Sequence, residues 1–461
     1  MSISSPIFES ETYVRRRELL CQKLPDCKIL LLGNKNASVN FRDNHYPFRQ
    51  DSTFLYYIGI DQPNLMAVID TGKNETTLIG DDADIDSIVW TGAQESLHSL
   101  SAKVGISKVT PTSQAESIID KHIHFLPPYR AKHTLQLSKL LKSTELQPSL
   151  PLIQAVIAQR NYKSAKEISL MEKAVTLSNE MHMHVMRQAL PGQHEYNLVA
   201  EAKHFCASRN VQLAYAPIMT TRGHVLHNHD YSFDLQEGQM LLNDSGVEVP
   251  GSYCGDITRT FPVGPSFTSI QKEMYQVVYN AYLASVAMAK PGNSFLQVHL
   301  ATAHSLVDGL KQLGIMKGDT KEAVAQGAHT MFFQCGVGHM IGMDVHDMEN
   351  LGEQYVGYEH PHVKSTEFGL KSLRLARTLE TGFCVTIEPG IYIIPELIDK
   401  MKAEQKHLDF IDYPTLEKHR NFGGIRLEDN FVITVNGNRN LDSSLPIKLE
   451  DIENLRSSVL Q

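Results

Sequence analysis

The sequence predicts an α+β protein with two domains, a smaller mixed α/β domain followed by a larger α+β domain. The chain has 461 residues, which is more than one hydrophobic core usually organises. In its first third, short apolar runs alternate with helical patterns, whereas the remainder shows long helical patterns followed by strand-like runs, twice over. We place the domain limits at 1–165 and 166–461.

The elements of the first domain follow from hydrophobic spacing. Residues 9–24 predict an amphipathic helix, and residues 27–33 predict a buried strand that a glycine ends. Residues 65–70 and 75–80, joined by a short connection with a central glycine, predict a hairpin. A long helical pattern then covers 156–188.

The second domain continues with helices and then strands. Helices are predicted at 195–209, 268–290 and 296–313, the second of which begins with the capping-box spacing of Thr268 and Gln271. Apolar runs with β-branched and aromatic residues predict strands at 240–244, 253–263, 383–394 and 424–435.

Charge and cysteine usage exclude several classes of protein. The chain carries 43 basic and 52 acidic residues, a net charge of -9, so we expect no binding to nucleic acid or to an anionic membrane. Its 6 cysteines form no C-x-x-C pair, and no run approaches the length of a membrane span. We expect a cytoplasmic protein.

Acidic residues within strand-like runs are the most informative feature. Asp244 closes one run and Asp256 lies in the next, with Pro250 and Gly251 between them as a turn signal. A hairpin would bring the two carboxylates alongside each other, where like charges repel unless a cation lies between them. A divalent metal ion is the obvious candidate.

The second half of the chain supplies matching groups. Glu388 lies in an apolar strand-like run, where an unpaired carboxylate is costly. Arg426 and Glu428 are two residues apart, so on a strand they share a face and the guanidinium could orient a ligating carboxylate. His339 and His346 lie together in a glycine-rich segment.

Four carboxylates and one imidazole form a hard donor set. Such a set favours Mn²⁺, with Co²⁺ or Zn²⁺ as alternatives, and the number of carboxylates favours two ions. Two ions would bridge a hydroxide and stabilise a tetrahedral oxyanion. Taken singly, however, each acidic residue is more often a solvent-facing position, and the pattern alone does not establish a joint site.

Several sequence blocks resemble those of a known family. Residues 46–59 (YPFRQDSTFLYYIG), 255–263 (GDITRTFPV), 336–347 (GVGHMIGMDVHD), 386–392 (TIEPGIY) and 423–430 (GGIRLEDN) are similar to the signature blocks of the proline-specific pita-bread metallopeptidases, aminopeptidase P and prolidase. The resemblance covers most of the chain, apart from segments around 355–379 and 395–422. It implies a pita-bread (creatinase/aminopeptidase-like) catalytic domain behind an amino-terminal domain of the aminopeptidase P type.

The resemblance also implies roles for the metal-binding residues. Asp244 would chelate one ion, Asp256 and Glu428 would bridge both ions, and His339 and Glu388 would complete the other. Glu388 would in addition act as general base.

Further roles follow from the same resemblance. His346 would hydrogen-bond the tetrahedral intermediate or the proline nitrogen side, and His227 would line the substrate pocket. Arg426 would orient a metal-ligating carboxylate without binding a metal ion itself. Trp90 could cover the active site of a neighbouring subunit, because relatives commonly form homodimers or homotetramers.

The sequence departs from the common family pattern at two places, and one of its histidine patterns suggests a different metal site. The interval from Asp244 to Asp256 is 12 residues, one longer than in common relatives, which suggests a bulge or a longer turn. Cys335 stands where many relatives have a histidine. His182 and His184 alternate with methionines like a soft-metal site, although packing or solvent exposure is the better interpretation in a helical pattern.

Three functions stay open at this point. The leading one is an aminopeptidase P, a two-metal enzyme that releases the first residue from peptides whose second residue is proline. The next is a prolidase, which has the same chemistry but accepts only dipeptides. The third is a metal-free member of the fold, either a creatinase-like hydrolase or a binding module.

Overall fold

The computed structural model describes residues 6–460 and divides them into two compact units. The first comprises the described residues up to Arg160 together with Met348–Tyr355, and the second comprises Asn161–Asp347 and the described residues from Val356 onwards. Both units mix helices and strands, which confirms the predicted α+β class. Within the described range, no helix is both long enough and apolar enough to cross a membrane.

One mixed sheet organises the first unit. Its helices are α1 (Ser10–Lys23), α2 (Ser52–Ile58), α3 (Ile85–Thr91), α4 (Leu97–Lys103), α5 (Ala115–Ile118), α6 (Ala131–Leu141) and α7 (Leu150–Arg160). Its strands are β1 (Lys28–Leu32), β2 (Met66–Asp70), β3 (Glu75–Ile79), β4 (Lys108–Thr110) and β5 (His124–Phe125), in the order β4-β3-β2-β1-β5. The predicted first helix, first strand and hairpin are therefore confirmed.

An apolar cluster of the first unit lies on one face of this sheet. Leu30, Val68 and Ile79 from three neighbouring strands pack together with Phe125 and with Leu137 of α6. Each of these side chains is at most 6% exposed, and burying such a side chain typically contributes about 1.5–3 kcal/mol. Consecutive positions of β1 and β2 are buried, so these central strands are covered on both faces.

The second unit is built from long helices and short strands. Its helices are α8 (Ala165–Gln188), α9 (Glu195–Ser208), α10 (Ser269–Met288), α11 (Phe295–Gln312), α12 (Thr320–Ala325), α14 (Pro395–Ala403), α15 (Tyr413–Glu417) and α16 (Leu449–Val459), and the short α13 (Glu353–Val356) lies where the chain passes between the units. Thr268 caps α10 with the predicted capping box to Gln271.

The strands of the second unit form two similar sets. The first set comprises β6 (Gln212–Leu213), β7 (Ile218–Thr220), β8 (Met240–Ser245), β9 (Val247–Val249), β10 (Tyr253–Cys254) and β11 (Ile257–Pro262), and the second comprises β12 (Cys384–Ile387), β13 (Gly390–Tyr392), β14 (Gly424–Arg426), β15 (Asp429–Thr434) and β16 (Gly437–Asn440). The sheets have the orders β10-β9-β6, β11-β8-β7, β12-β15-β16 and β13-β14. Each set follows a pair of long helices, as the twice-repeated sequence pattern indicates.

The predicted helix over 156–188 is wrong as a single element. α7 ends at Arg160 and α8 begins at Ala165. Ser164 caps α8, because its side chain accepts from the backbone N–H of Glu167 while the Glu167 side chain accepts from the backbone N–H of Ser164. This capping box starts a new helix inside a segment whose apolar spacing is helical throughout.

Candidate active site

The first two predicted ligands lie on one antiparallel hairpin. Asp244 of β8 lies opposite Thr258 of β11, and Asp256 immediately precedes β11. Because Asp256 and Thr258 are two residues apart, both carboxylates lie on the same face. The pairing register continues unchanged into β9 and β10, so the connection is a turn around Gly251 and Ser252, both with positive φ, and not a bulge.

The second hairpin places Glu388 opposite Glu428. β12 pairs with β15 as far as Ile387, β13 pairs with β14 from Gly390, and the two glutamates lie in the gap between these paired segments. The two hairpins are joined directly, since the Glu428 backbone N–H donates to the Thr258 carbonyl at 3.0 Å. The Thr258 hydroxyl also donates to Glu428 Oε2 at 2.6 Å.

A glycine-rich segment brings His339 to these carboxylates. Gly338 has φ +156° and a Cβ there would lie 2.1 Å from the Thr386 carbonyl oxygen, so only glycine allows this close approach. The backbone N–H of His339 donates to the Thr386 hydroxyl at 3.0 Å. His339 Nε2 then lies 3.3 Å from Asp256 Oδ2 and 3.7 Å from Glu388 Oε1.

The resulting cluster fits a metal centre. One potential ligand atom from each of Asp256, His339 and Glu428 lies within 4.8 Å of the others, and all three residues are buried. Among the described residues, Glu428 Oε1 is buried without a hydrogen-bond partner. A buried carboxylate oxygen without a donor is costly, whereas a cation would satisfy it. Carboxylates with a single imidazole are the donors that hard divalent ions prefer.

Burial and mutual repulsion perturb the ionisation of the cluster. Burial raises the pKa of Glu388 to about 7, although the charges of His339 and Arg426 oppose this rise. Burial likewise raises the pKa of Glu428, and the charge of Asp256 adds to the effect. Burial also acts to raise the pKa of Asp256, but the hydrogen bond and charge of His339 outweigh it and lower that pKa. Perturbed carboxylates gathered at one buried point are typical of functional sites.

Arg426 contacts the cluster from β14. Its guanidinium donates to Asp244 Oδ2, to the Tyr392 hydroxyl at 2.9 Å and to the Thr258 hydroxyl at 3.2 Å. Arg426 and Asp244 are both buried, which makes this ion pair sensitive to the loss of either partner. The structure thus places Arg426 against Asp244, one of the predicted ligands.

The other predicted site residues are His346, His227 and Trp90. The His346 ring centroid is 4.2 Å from that of His339. His227 presents much of its surface to solvent, although neighbouring atoms partly desolvate its ring. This desolvation and the charge of Arg426 lower the pKa of His227, whereas the charge of Asp244 acts to raise it. Trp90 belongs to the first unit, where its side chain on α3 is 86% exposed.

Sequence reasoning missed two residues that hold the aspartates. The Tyr215 hydroxyl lies 2.6 Å from Asp244 Oδ1 and 2.5 Å from Asp256 Oδ1. The Asn430 side chain accepts from the Asp256 backbone N–H at 2.9 Å and donates to its carbonyl. Asn430 lies within a recognised sequence block, whereas no motif or periodicity singles out Tyr215.

The competing histidine pattern has a structural explanation. His182 is fully buried in α8 and contacts the Ser245 carbonyl oxygen at 2.9 Å and the Asn243 side-chain amide at 3.1 Å. His184 pairs with Glu201 at 2.8 Å. The two imidazoles therefore have separate protein partners, as the packing interpretation predicted.

Comparison with known proteins agrees with this geometry. Residues 169–435 match metallopeptidase family M24, and residues 13–125 match the aminopeptidase P N-terminal domain. The chain is 30% identical to an Xaa-Pro aminopeptidase of Escherichia coli, over 96% of this chain and 97% of that protein. It is also 30% identical to a probable Xaa-Pro aminopeptidase of Ajellomyces capsulatus, over 93% and 91% of the two chains.

Solved structures give the same result. A histidine-to-alanine variant of E. coli aminopeptidase P superposes with a TM-score of 0.82 at 27% identity, covering 99% of both chains. The same enzyme with the inhibitor Pro-Leu superposes with a TM-score of 0.80 at 28% identity and the same coverage. The pita-bread fold and the amino-terminal domain inferred from the sequence blocks are confirmed. The chain belongs to metallopeptidase family M24, as a peptide-bond hydrolase that carries an aminopeptidase P amino-terminal domain.

Proposed function

We propose that this protein is an Xaa-Pro aminopeptidase that uses two divalent metal ions, with Mn²⁺ as the preferred metal. The observation that carries the proposal is a buried cluster of three predicted ligands, Asp256, His339 and Glu428, in which Glu428 Oε1 has no donor among the described residues. Glu388 faces His339, and Asp244 is linked to Asp256 through the Tyr215 hydroxyl. Relatives of nearly the same length that are named Xaa-Pro aminopeptidase support the substrate class.

The family resemblance implies how the ligands would divide between the two ions. Asp244 would bind one ion, Asp256 and Glu428 would bridge both ions, and His339 with Glu388 would complete the other. When bound, the ions would supply Lewis acidity and lower the pKa of water. A zinc-substituted form of E. coli aminopeptidase P has been solved, so Zn²⁺ and Co²⁺ remain alternatives to Mn²⁺.

The protein side chains then handle protons and orientation. Glu388, whose carboxylate lies 3.7 Å from His339 Nε2, would take a proton from the attacking water and deliver it to the proline nitrogen. His346, whose ring lies beside that of His339, would hydrogen-bond the tetrahedral intermediate, as the family resemblance implies. His227 would contact the substrate beyond the reacting carbonyl, and Arg426 holds Asp244 in its ligating orientation.

A proline at the second position changes what the site must recognise. The Xaa-Pro bond is a tertiary amide without an N–H, so a peptidase cannot use that group as a donor.

Cys335 lies near this site, since its thiol is 3.9 Å from the Tyr392 hydroxyl, which also accepts a hydrogen bond from Arg426. Burial raises the pKa of Cys335 to about 12, with a further contribution from Glu388, so we expect a neutral wall group that alters the pocket without removing a ligand.

Three broader features belong to the same proposal. We infer domain limits of 1–165 and 166–461, a cytoplasmic location, and a homodimer or homotetramer in which Trp90 covers the active site of a neighbouring subunit. Support for the last inference is the exposure of Ile85, Val89 and Trp90 on α3, a helix without a buried residue. Aromatic residues exposed in this way are enriched at protein interfaces.

The test compares substrates with the metal-free and Mn²⁺-loaded enzyme. We expect Mn²⁺-dependent release of the first residue from Xaa-Pro-Pro peptides and little hydrolysis of Xaa-Ala-Pro peptides. Cleavage of Xaa-Pro dipeptides alone would identify a prolidase instead. Absence of hydrolysis with every metal would contradict the enzymatic proposal and favour a binding member of the fold.

A further inference from the structure

Tyr215 occupies a special position between two metal-binding candidates. It lies in the connection between β6 and β7, and its hydroxyl contacts the side chains of both Asp244 and Asp256. The two oxygen–oxygen distances are 2.6 and 2.5 Å, at the short end for hydrogen bonds to carboxylates. A single phenol oxygen therefore sets the gap between the two Oδ1 atoms.

The other carboxylate oxygens have different partners. Asp244 Oδ2 accepts from Arg426, and Asp256 Oδ2 faces His339 at 3.3 Å. Each aspartate is thus held at both oxygens, and rotation about its last side-chain bond is restricted from both ends. Tyr215 is the one group in this set that acts on both aspartates at once.

We propose that Tyr215 is a positioning residue whose hydroxyl sets the spacing and orientation of Asp244 and Asp256 and thereby the affinity of the site for its pair of metal ions. This inference rests on the proposed function, because it takes both aspartates as ligands. Groups that orient metal ligands typically change metal affinity or activity by about 10- to 100-fold when they are removed. A tyrosine that only filled space would have no such effect.

The test is Tyr215→Phe in the full chain, which removes the hydroxyl and keeps the ring. We expect Mn²⁺ to bind about 10- to 100-fold more weakly in calorimetric titration of the metal-free protein. We also expect the Mn²⁺ electron paramagnetic resonance spectrum to shift from a spin-coupled pair towards single ions at metal concentrations that saturate the unmodified protein. Neither readout depends on turnover.

Tyr275→Phe is the matched control. Tyr275 is buried in the same unit, and its hydroxyl donates to the Ile447 carbonyl at 2.7 Å, away from every proposed ligand. Both variants lose a tyrosine hydroxyl, so a difference between their Mn²⁺ affinities isolates the contact with the aspartates. If Tyr215→Phe does not fold by circular dichroism, Tyr215→Leu replaces it, since leucine also lacks the hydroxyl and adds no metal-ligating atom.

The outcomes separate this inference from the proposed function. If Tyr215→Phe binds two Mn²⁺ ions within twofold of the unmodified affinity, the positioning role is wrong even though Xaa-Pro hydrolysis stands. If the unmodified protein itself binds no pair of ions, the proposed function fails first. Weakened binding in Tyr215→Phe with normal binding in Tyr275→Phe supports the inference.

Discussion

Glu388 and Glu428 face each other across the gap between two paired segments of one hairpin. Backbone pairing on either side holds the two carboxylates there, although the charge of Glu388 adds to the rise in the pKa of Glu428 that burial and the charge of Asp256 cause. The structure thus keeps repelling groups together by main-chain hydrogen bonds. A bound cation would relieve that repulsion.

Asp256→Asn should abolish activity through the loss of metal. Asp256 contacts both His339 and Tyr215, and as the proposed bridge it would serve both ions. We expect at least about a 100-fold loss of kcat/KM, in keeping with the cost of disrupting metal ligation, and less than one ion per chain by elemental analysis. Asp409→Asn, at an exposed position, is the control. Full metal content in Asp256→Asn would refute the ligand assignment.

Arg426→Lys should impair catalysis although the charge is conserved. A lysine cannot contact Asp244, Tyr392 and Thr258 at once, as the guanidinium does. We expect kcat to fall about 10- to 100-fold, with KM changed less. Arg439→Lys alters a partly exposed ion pair with Glu172 and should leave kcat unchanged. Equal kcat values in the two variants would argue against this role.

His299→Phe should make the protein more resistant to acid. His299 is 1% exposed, lies 5.2 Å from the Phe333 ring and has two nitrogens without partners. Burial, and then the charge of His329, lower the pKa of His299 to about 3. The unfolded chain therefore binds the proton first, so this residue's contribution to stability is complete above about pH 6.5 and falls as the pH drops towards 3.

The expected size follows from that proton linkage. Relative to pH 7, the unmodified protein should lose about 3 kcal/mol through His299 by pH 4, and His299→Phe should lose that much less. Denaturant unfolding at several pH values measures the difference. His304→Phe, on the same helix at a partly exposed position, is the control. Parallel stability curves for His299→Phe and the unmodified protein would exclude the expected linkage.

Trp90→Ala should weaken self-association if the proposed assembly is correct. Trp90 is 86% exposed, and truncation of an exposed aromatic at the centre of an interface commonly costs about 2 kcal/mol or more. We expect a smaller mass in analytical ultracentrifugation at micromolar concentration. Phe41→Ala removes another exposed aromatic of the first unit, 62% exposed, and should leave the mass unchanged. A monomeric unmodified protein would contradict the proposal.

The sequence predicted where strands occur but not where they break. The runs at 253–263, 383–394 and 424–435 have continuous strand composition, yet each is interrupted next to a carboxylate. The interruption depends on contacts such as that of Thr258 with Glu428, which are 170 residues apart. The strand propensity of a short segment carries no information about contacts with residues so distant in sequence.

Two other differences have different causes. The break before α8 had a local signal, because Ser164 and Glu167 have capping-box spacing, but the apolar period on both sides obscured it. Tyr215 had none, since its role depends on the fold bringing the β6–β7 connection to the aspartates. The four carboxylates could be singled out because an unpaired carboxylate in an apolar run is costly, whereas the role proposed for His339 came from the family resemblance.

The joining of the two hairpins by Thr258 and Glu428 has a consequence for biosynthesis. A nascent chain that has emerged only as far as the first hairpin presents Asp244 and Asp256 but lacks every other proposed ligand. Metal acquisition should therefore be a late event that reports completion of the second hairpin. Ribosome-bound chains stalled before and after Glu428 should differ in their ability to retain Mn²⁺, which would make the metal an internal check on finished synthesis.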